Sequence, residues 1–244
     1  MQKDIIFLKI VEAIDVSKTY RIDNRDISVL RGVSLAVTAG EFVVVKGQSG
    51  SGKTTLLSLL SGLDKPTAGR IYVDGRDITD DTEDQLAPMR NQFFGFVFQA
   101  FHLVPALNAL ENVMFPAQLN RDRTAADRAR ELLRRVGLSP REANFPHQLS
   151  GGEMQRVAIC RALINHPKII FADEPTGNLD AENGRSILKL LLEFHRAQRT
   201  TLLMVTHNRD IAALADRIIS LDDGRISGVE NGKPSNVQAE IHPA

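Results

Sequence analysis

Cysteine is almost missing from this chain. Cys160 is the only one in 244 residues, so no disulfide can form within the chain, which fits a reducing compartment. An excess of either charge is missing too. Lys plus Arg and Asp plus Glu each number 30, giving zero formal net charge. Chains that live on nucleic acid usually carry a basic surplus, so the balance weighs against that class and no nucleic-acid partner is expected. Long apolar runs are lacking: nothing approaches the roughly 18 residues a membrane span needs. The N-terminal stretch is interrupted by Asp4 and Lys9, unlike a secretory leader. No repeat or low-complexity tract is present. A soluble protein is expected, joined to any membrane only through a partner.

What is present is ample core material, 43% apolar residues, in an alternating order. The patterning predicts strands at 7–16, 29–37, 42–46 and 71–73, with helices at 53–62 and 82–91 and a buried strand at 93–98. Helical spacing then takes over at 107–120, 124–137 and 150–165. Alternation resumes with strands at 168–172, 201–205, 217–221 and 225–229, and helices at 181–198 and 209–214. Strands alternating with helices predict an α/β fold with a mainly parallel sheet covered on both faces. One domain over 1–230 is expected, with a core of 1–99 and 166–230, some antiparallel β structure, and a helical subdomain at 100–165. Residues 231–244 are polar, contain two prolines and are expected to be loose.

Between strand 42–46 and the following helix lies Gly47-Gln48-Ser49-Gly50-Ser51-Gly52-Lys53-Thr54, followed by Thr55. It fits G-x-x-x-x-G-K-[ST], in which glycines turn backbone N–H groups toward an anion and a helix N-terminus adds its positive end. Lys53 would reach the β- and γ-phosphates of ATP, and the Thr54 hydroxyl would bind Mg²⁺. The apolar segment 168–172 ends in Asp173 and Glu174, closed by Pro175. Asp173 can hold the metal, and Glu174 stands where a carboxylate can polarise an attacking water. An acidic turn after a buried strand is the plainer alternative, and the upstream loop argues against it.

Ser150-Gly151-Gly152-Glu153 opens the helix at 150–165 with capping-box spacing. Two glycines in its first turn would leave N–H groups uncovered, making a second helix end fit for a phosphate. Capping alone would equally explain Ser150 and Glu153. The surrounding residues favour the phosphate reading. Leu149 to Arg156, LSGGEMQR, resembles the signature of ATP-binding cassette (ABC) ATPases. In family order, Tyr20 resembles the adenine-stacking aromatic and Gln99 the Q-loop glutamine. Asn178-Leu179-Asp180 resembles the D-loop, and His207 the switch histidine.

The resemblance covers about residues 8–228 and implies a P-loop NTPase (RecA-like) fold and Mg·ATP hydrolysis. It also implies a head-to-tail homodimer, with each ATP between the phosphate loop of one copy and the signature helix of the other. Lys53, Glu174, His207 and Gln99 would then be catalytic, with His207 touching the γ-phosphate. Tyr20, the loop 47–55, Ser150, Gly151, Gly152, Glu153 and Asp180 would bind nucleotide; Thr54, Gln99 and Asp173 would bind metal. Asp180 reads equally well as a helix N-cap, and Tyr20 as a strand-end surface aromatic.

The run 107–119 and EPTGNLD are most similar to a bacterial subgroup of lipoprotein-release and macrolide-export ATPases and a related cell-division ATPase. That implies a transmembrane permease partner and a place on the cytoplasmic face of the bacterial inner membrane. A signalling or mechanotransmission module for cell-envelope remodelling stays open as the alternative. Five of eleven phenylalanines fall within 93–101. Phe101, Leu103 and Val104 either line a groove for a membrane subunit's helix or simply pack the helical insert on the sheet.

Overall fold

A computed structural model of the chain describes residues 8–232, apart from the side chain of Arg209. Ten strands, seven α-helices and two short 3₁₀ helices are formed among these residues. The first sheet is antiparallel and starts with a long hairpin, β1 (Lys9–Ile22) and β2 (Arg25–Thr38). It is joined by β4 (Ala68–Val73) and β5 (Arg76–Asp77) in the order β2-β1-β4-β5.

The hairpin runs further than the alternation at 7–16 and 29–37 indicates. Its outer ends are largely exposed, so no apolar pattern marks them, and backbone pairing carries the strands on to the Ile22–Arg25 pair. The two-residue turn at Asp23 and Asn24 has φ of 46° and 62°. Left-handed φ at both positions suits the right-handed twist of paired strands, and Asp and Asn tolerate it.

The second sheet has the order β10-β9-β3-β8-β7-β6. Its strands are β3 (Phe42–Lys46), β6 (Phe94–Phe98), β7 (Ile169–Asp173), β8 (Thr201–Thr206), β9 (Arg217–Asp222) and β10 (Arg225–Asn231). All neighbours pair in parallel except β9 with β10. Asn231 thus closes β10 rather than opening a loose tail, and the remainder of that tail lies outside the described residues.

The central strands are apolar on both faces. Phe42, Val44, Ile170, Ala172, Leu202 and Met204 face one core, and Val43, Val45, Ile169, Phe171, Leu203 and Val205 the other. Period-two alternation therefore sends each strand into two cores at once, as expected of a sheet covered on both sides. Helix α1 (Lys53–Leu60) and the antiparallel sheet cover the second face. α1 buries Leu56, Leu57, Leu59 and Leu60 almost completely, each worth about 1.5–3 kcal/mol over leaving it in water. That packing, rather than capping, holds α1, because Gly52 at its N-cap makes no side-chain cap.

The first face carries α3 (Ala109–Leu119), α4 (Ala125–Arg135), α5 (Gly151–Leu163), α6 (Ala181–Gln198) and the single turn α7 (Arg209–Ala212). Helix α2 (Glu83–Phe93) precedes β6, begun by a reciprocal Thr82–Gln85 capping box. Helices α3, α4 and α5 share one continuous apolar cluster with the sheet and α6. The C-terminal ends of β3, β7 and β8 run out beside one another, which is where an open parallel sheet places its ligand crevice.

Candidate functional site

The loop between β3 and α1 turns back through Gly50 at φ 81° and Gly52 at φ 97°, values that L side chains avoid. Gly47 is required by space. A Cβ there would lie 2.3 Å from the Leu221 carbonyl oxygen and 2.6 Å from Ser51 Oγ. Lys53 is folded inward, its Nζ donating to the carbonyls of Gly47 and Gln48 at 3.0 and 2.8 Å. The ammonium is thereby held inside the ring of the loop rather than on an acid, available to an anion seated there. No acidic residue occupies the first turn of α1, so its positive end is not neutralised locally.

Across from the loop, β7 and β8 end side by side. Asp173, the last residue of β7, accepts a hydrogen bond from Thr54 Oγ1 at 3.2 Å. Burial pushes its carboxyl above the usual range, and the adjacent Glu174 adds to this, while Thr54 and Lys53 work the other way. A cation beside Asp173 would relieve that cost. No group of three or more metal-type side chains occurs among the described residues. A hydroxyl next to one carboxylate nevertheless fits Mg²⁺, a hard cation that takes few protein oxygens and completes its shell with phosphate and water.

Glu174 has φ 42°, a left-handed conformation for a non-glycine residue. Such outliers persist where the surroundings hold them and gather at working sites. Here the holding groups are identifiable. Glu174 Oε2 accepts from Thr206 Oγ1 at 3.0 Å; Oε1 accepts from the His207 N–H at 3.0 Å and meets His207 Nδ1 at 2.8 Å. An ionised carboxylate only accepts, so Nδ1 carries the proton and Nε2 is the free ring nitrogen.

Gln99, one residue past β6, is tied reciprocally to Asn178. Its Nε2 donates to Asn178 Oδ1 at 3.0 Å, and Asn178 Nδ2 donates to the Gln99 carbonyl at 3.0 Å. These groups surround one cleft of about 860 Å³, to which Gln48, Ser49, Thr55 and Val29 also contribute. Of the predicted residues in the loop, Gly47 and Ser51 support the cleft from beneath instead of lining it.

Tyr20 does not line the cleft. Its hydroxyl donates to Asp64 Oδ2 at 2.7 Å, and Lys18 Nζ sits 4.7 Å over its ring while pairing with Asp64 at 2.7 Å. Burial pushes Asp64 up, but hydrogen bonds from Lys18, Tyr20 and the Lys65 N–H outweigh it and hold the carboxyl below its ordinary 3.8. A folded-state value below the unfolded one contributes stability above the unfolded value and loses it as pH falls through the folded one. Asp64→Asn is therefore expected to lower the melting temperature at pH 7 by about 2–4 °C, for about 1 kcal/mol. Thermal melts against pH check this, and the gap from wild type should start to narrow as the pH falls past 3.8 and close only below the lower folded value.

The predicted second anion site also lies outside the cleft. Ser150 and Glu153 form a reciprocal cap at the start of α5, with the Glu153 N–H donating to Ser150 Oγ at 3.3 Å and the Ser150 N–H to Glu153 Oε2 at 2.8 Å. Arg141 pairs with Glu153 at 3.1 Å. The two glycines are not equivalent there. Gly151 is half-buried, whereas a Cβ on Gly152 would come within 2.6 Å of Asn183 Oδ1 on α6. Gly152 therefore also serves the packing of α5 on α6.

Asp180 is an N-cap: its Oδ1 accepts the N–H groups of Glu182 and Asn183, and its Oδ2 accepts from Asn183 Nδ2 at 2.6 Å. For Phe101, Leu103 and Val104 two readings stand open, lining a groove and packing the insert on the sheet. An apolar groove of about 350 Å³ does lie on this side of the molecule, but Phe96, Phe98, His102, Phe115 and Leu119 line it. Leu103 instead packs into the core. Phe101 and His102 both have left-handed φ, 59° and 49°, and this turn redirects the chain after β6.

Three participants escaped the sequence. Val29 contributes from the hairpin as an ordinary strand residue, with no signal to find it. Asp64 anchors Tyr20 across 44 residues. Thr206, beside His207, could have been suspected from its place at a strand end.

A family model for ABC transporters matches residues 30–177. The macrolide export ATP-binding/permease protein MacB of Syntrophobacter fumaroxidans is 47% identical, over 90% of this chain and 31% of its own length. The pyoverdine export ATP-binding/permease protein PvdT of Pseudomonas entomophila is 46% identical, over 95% of this chain and 36% of its own. The chain thus spans about a third of these two relatives. It spans 97% of the uncharacterized ABC transporter ATP-binding protein YvrO of Bacillus subtilis, at 44% identity over 91% of this chain. A dimeric, post-hydrolysis structure of the ATP-binding cassette MJ0796 with ADP and Pi superposes with TM-score 0.85. It is 42% identical, covering 91% of this chain and 99% of that one.

Proposed function

We propose, from the premise that this chain belongs to the ABC transporter family as an ATP-binding, ATP-hydrolysing cassette, that two copies close head to tail over two Mg·ATP molecules and so drive a separate membrane partner. The observation that carries the proposal is a division within the chain. The cleft collects the phosphate loop, Asp173, Glu174, His207 and Gln99, while the α5 end bearing an exposed Ser150 lies outside it. One chain thus presents two half-sites for one ligand, and a second copy completes each. The dimeric MJ0796 cassettes support the same arrangement by analogy.

Lys53 and the amides of 47–54 would stabilise charge on the transferring phosphoryl group, and Glu174 would accept a proton from the attacking water. His207, held at Nδ1 by Glu174, would turn Nε2 toward the γ-phosphate and donate to it as the imidazolium, in which both ring nitrogens carry a proton. Thr54 and Asp173 would hold Mg²⁺, which would supply positive charge against the phosphate oxygens. Gln99 would sense that ligand once released from Asn178, and Tyr20 would stack the adenine on its free ring face. Residues 8–230 act as one cassette, with 100–165 as its helical arm.

No helix among the described residues is long and apolar enough to cross a membrane, so a permease supplied by another segment or chain would transmit the movement. The relatives' names support export as the task, with the cassette on the cytoplasmic face of the membrane. The apolar groove around Phe96, Phe98 and Phe115 suits a helix of that partner. Sedimentation of the purified chain with and without Mg·ATP tests the reading. Mass should move toward twice the monomer with ATP and return as ATP is consumed; steady hydrolysis by a species that stays monomeric would overturn it.

A further inference from the structure

Helix α5 does more than present Ser150. Two of its polar side chains reach back to the segment that carries Gln99. Gln155 is fully buried, and its Nε2 donates to the Phe98 carbonyl at 3.3 Å and to the Pro175 carbonyl at 2.6 Å. Further along the helix, Arg161 donates through Nη2 to the Phe101 carbonyl at 2.8 Å and through Nη1 to the His102 carbonyl at 2.5 Å. Gln99 is therefore gripped on both sides by one helix. The Pro175 contact adds the turn that follows Glu174.

These contacts are hard to explain by packing alone. Both neighbours of the Gln155 amide are carbonyl oxygens, so the nitrogen must face them, and its Oε1 is buried with no donor among the described residues. An apolar side chain of the same length would fill the space without that orphaned acceptor. Arg161 spends a half-buried guanidinium on two carbonyls, and burial lowers its pKa. The two residues it holds, Phe101 and His102, are non-glycines in left-handed conformation. Strain of this kind persists only when the surroundings hold it in place.

We propose that Gln155 and Arg161 are positioning residues that lock Gln99 and the Glu174–Pro175 turn to α5, so that closure on the Ser150 end of the helix sets the geometry of the cleft in the same chain. In the head-to-tail pair that end of α5 meets the partner's nucleotide, while Gln99 and Glu174 meet the chain's own. The two cleft geometries are then coupled through a single rigid helix. The coupling part of this rests on the dimer reading above; the locking part does not.

The test uses Gln155→Met, which keeps length and volume but donates no hydrogen bond, and Arg161→Lys, which keeps charge but loses the fork. Amide hydrogen exchange of the nucleotide-free chain reads the lock directly. Exchange over 98–103 should rise about tenfold in each variant, with peptides from β3 and β8 unchanged. Unchanged exchange at 98–103 in either folded variant overturns the proposal, whatever the catalytic result. In turnover assays, ATP affinity should stay within about twofold while kcat falls about 10–100-fold, and the Hill coefficient in ATP should move toward one. Arg161→Lys should retain more of both than Arg161→Met. Loosened exchange with unchanged kcat and Hill coefficient would remove the coupling and leave the lock. A wild-type chain with no hydrolysis at all would instead defeat the proposed function.

Discussion

Glu174→Gln is expected to bind Mg·ATP as the wild type does, to lose about 10²–10⁴-fold in hydrolysis, and to accumulate as an ATP-loaded dimer. The amide keeps the shape of the carboxylate: its single oxygen can still accept from the His207 N–H, while its NH₂ takes the place of the other oxygen and donates to Thr206 Oγ1, reversing that bond. The left-handed turn at residue 174 is therefore preserved. What it cannot do is take a proton from water. Burial is the main cause that raises Asp173's carboxyl, and the substitution removes the Glu174 charge that adds to it, so nucleotide affinity should not fall. Single-turnover hydrolysis and size-exclusion chromatography in ATP check the two halves together. Turnover within about threefold of wild type would remove Glu174 as the base, since loss of a general base costs far more. The His207 Nδ1 contact gives a further readout: with an amide opposite, the tautomer is no longer dictated by a carboxylate, and the imidazole ¹⁵N shifts should change in the variant.

The parts of this site that could be read before any coordinates were those in which chemistry dictates a local pattern. The phosphate loop is one, because backbone amides that converge on an anion need glycines at set intervals. Asp173 and Glu174 are another, since the end of a buried parallel strand is a fixed address. The core strands were legible for the same reason, being short runs of Val, Leu and Ile. Illegible were the contacts that join distant segments. Nothing near Gln99 announces that Asn178, 79 residues on, will hold both its side chain and its carbonyl. Nothing near Tyr20 points to Asp64. The outer halves of β1 and β2 were lost because an exposed ladder is sustained by backbone pairing, which leaves no trace in hydropathy. Phe101, Leu103 and Val104 stayed between two readings because the chain there turns through two left-handed non-glycine residues, which no propensity favours and which Arg161 holds in place. Asp180 offered two roles; a carboxylate whose two oxygens are both engaged by its own helix fills the capping one.

Ser150→Arg separates the two half-sites most sharply. Ser150 is exposed and distant in function from the cleft, so the chain should fold and bind nucleotide at its own phosphate loop much as before. Losing the cap costs about 1 kcal/mol, and a cation at a helix N-terminus a further 0.3–1 kcal/mol or so. Ser150→Ala carries the capping cost alone and serves as the control. Turnover should fall at least about 100-fold in Ser150→Arg, because a bulky guanidinium replaces donors aimed at the phosphate, while Ser150→Ala should retain measurable activity. Mixing then distinguishes one chain from two. In a two-fold pair, Ser150→Arg combined with Glu174→Gln before ATP is added gives one site in which both α5 and the base are wild type, and one in which both are altered. Equal mixing places about half of the dimers in that state, each with one intact site, so about a quarter of wild-type turnover should return. If both motifs served the same chain's nucleotide, neither variant could supply what the other lacks, and the mixture would stay as inactive as its components. Recovery on mixing is therefore a measurement of which chain each helix end serves, and its absence with two well-folded, nucleotide-binding variants would exclude the shared site.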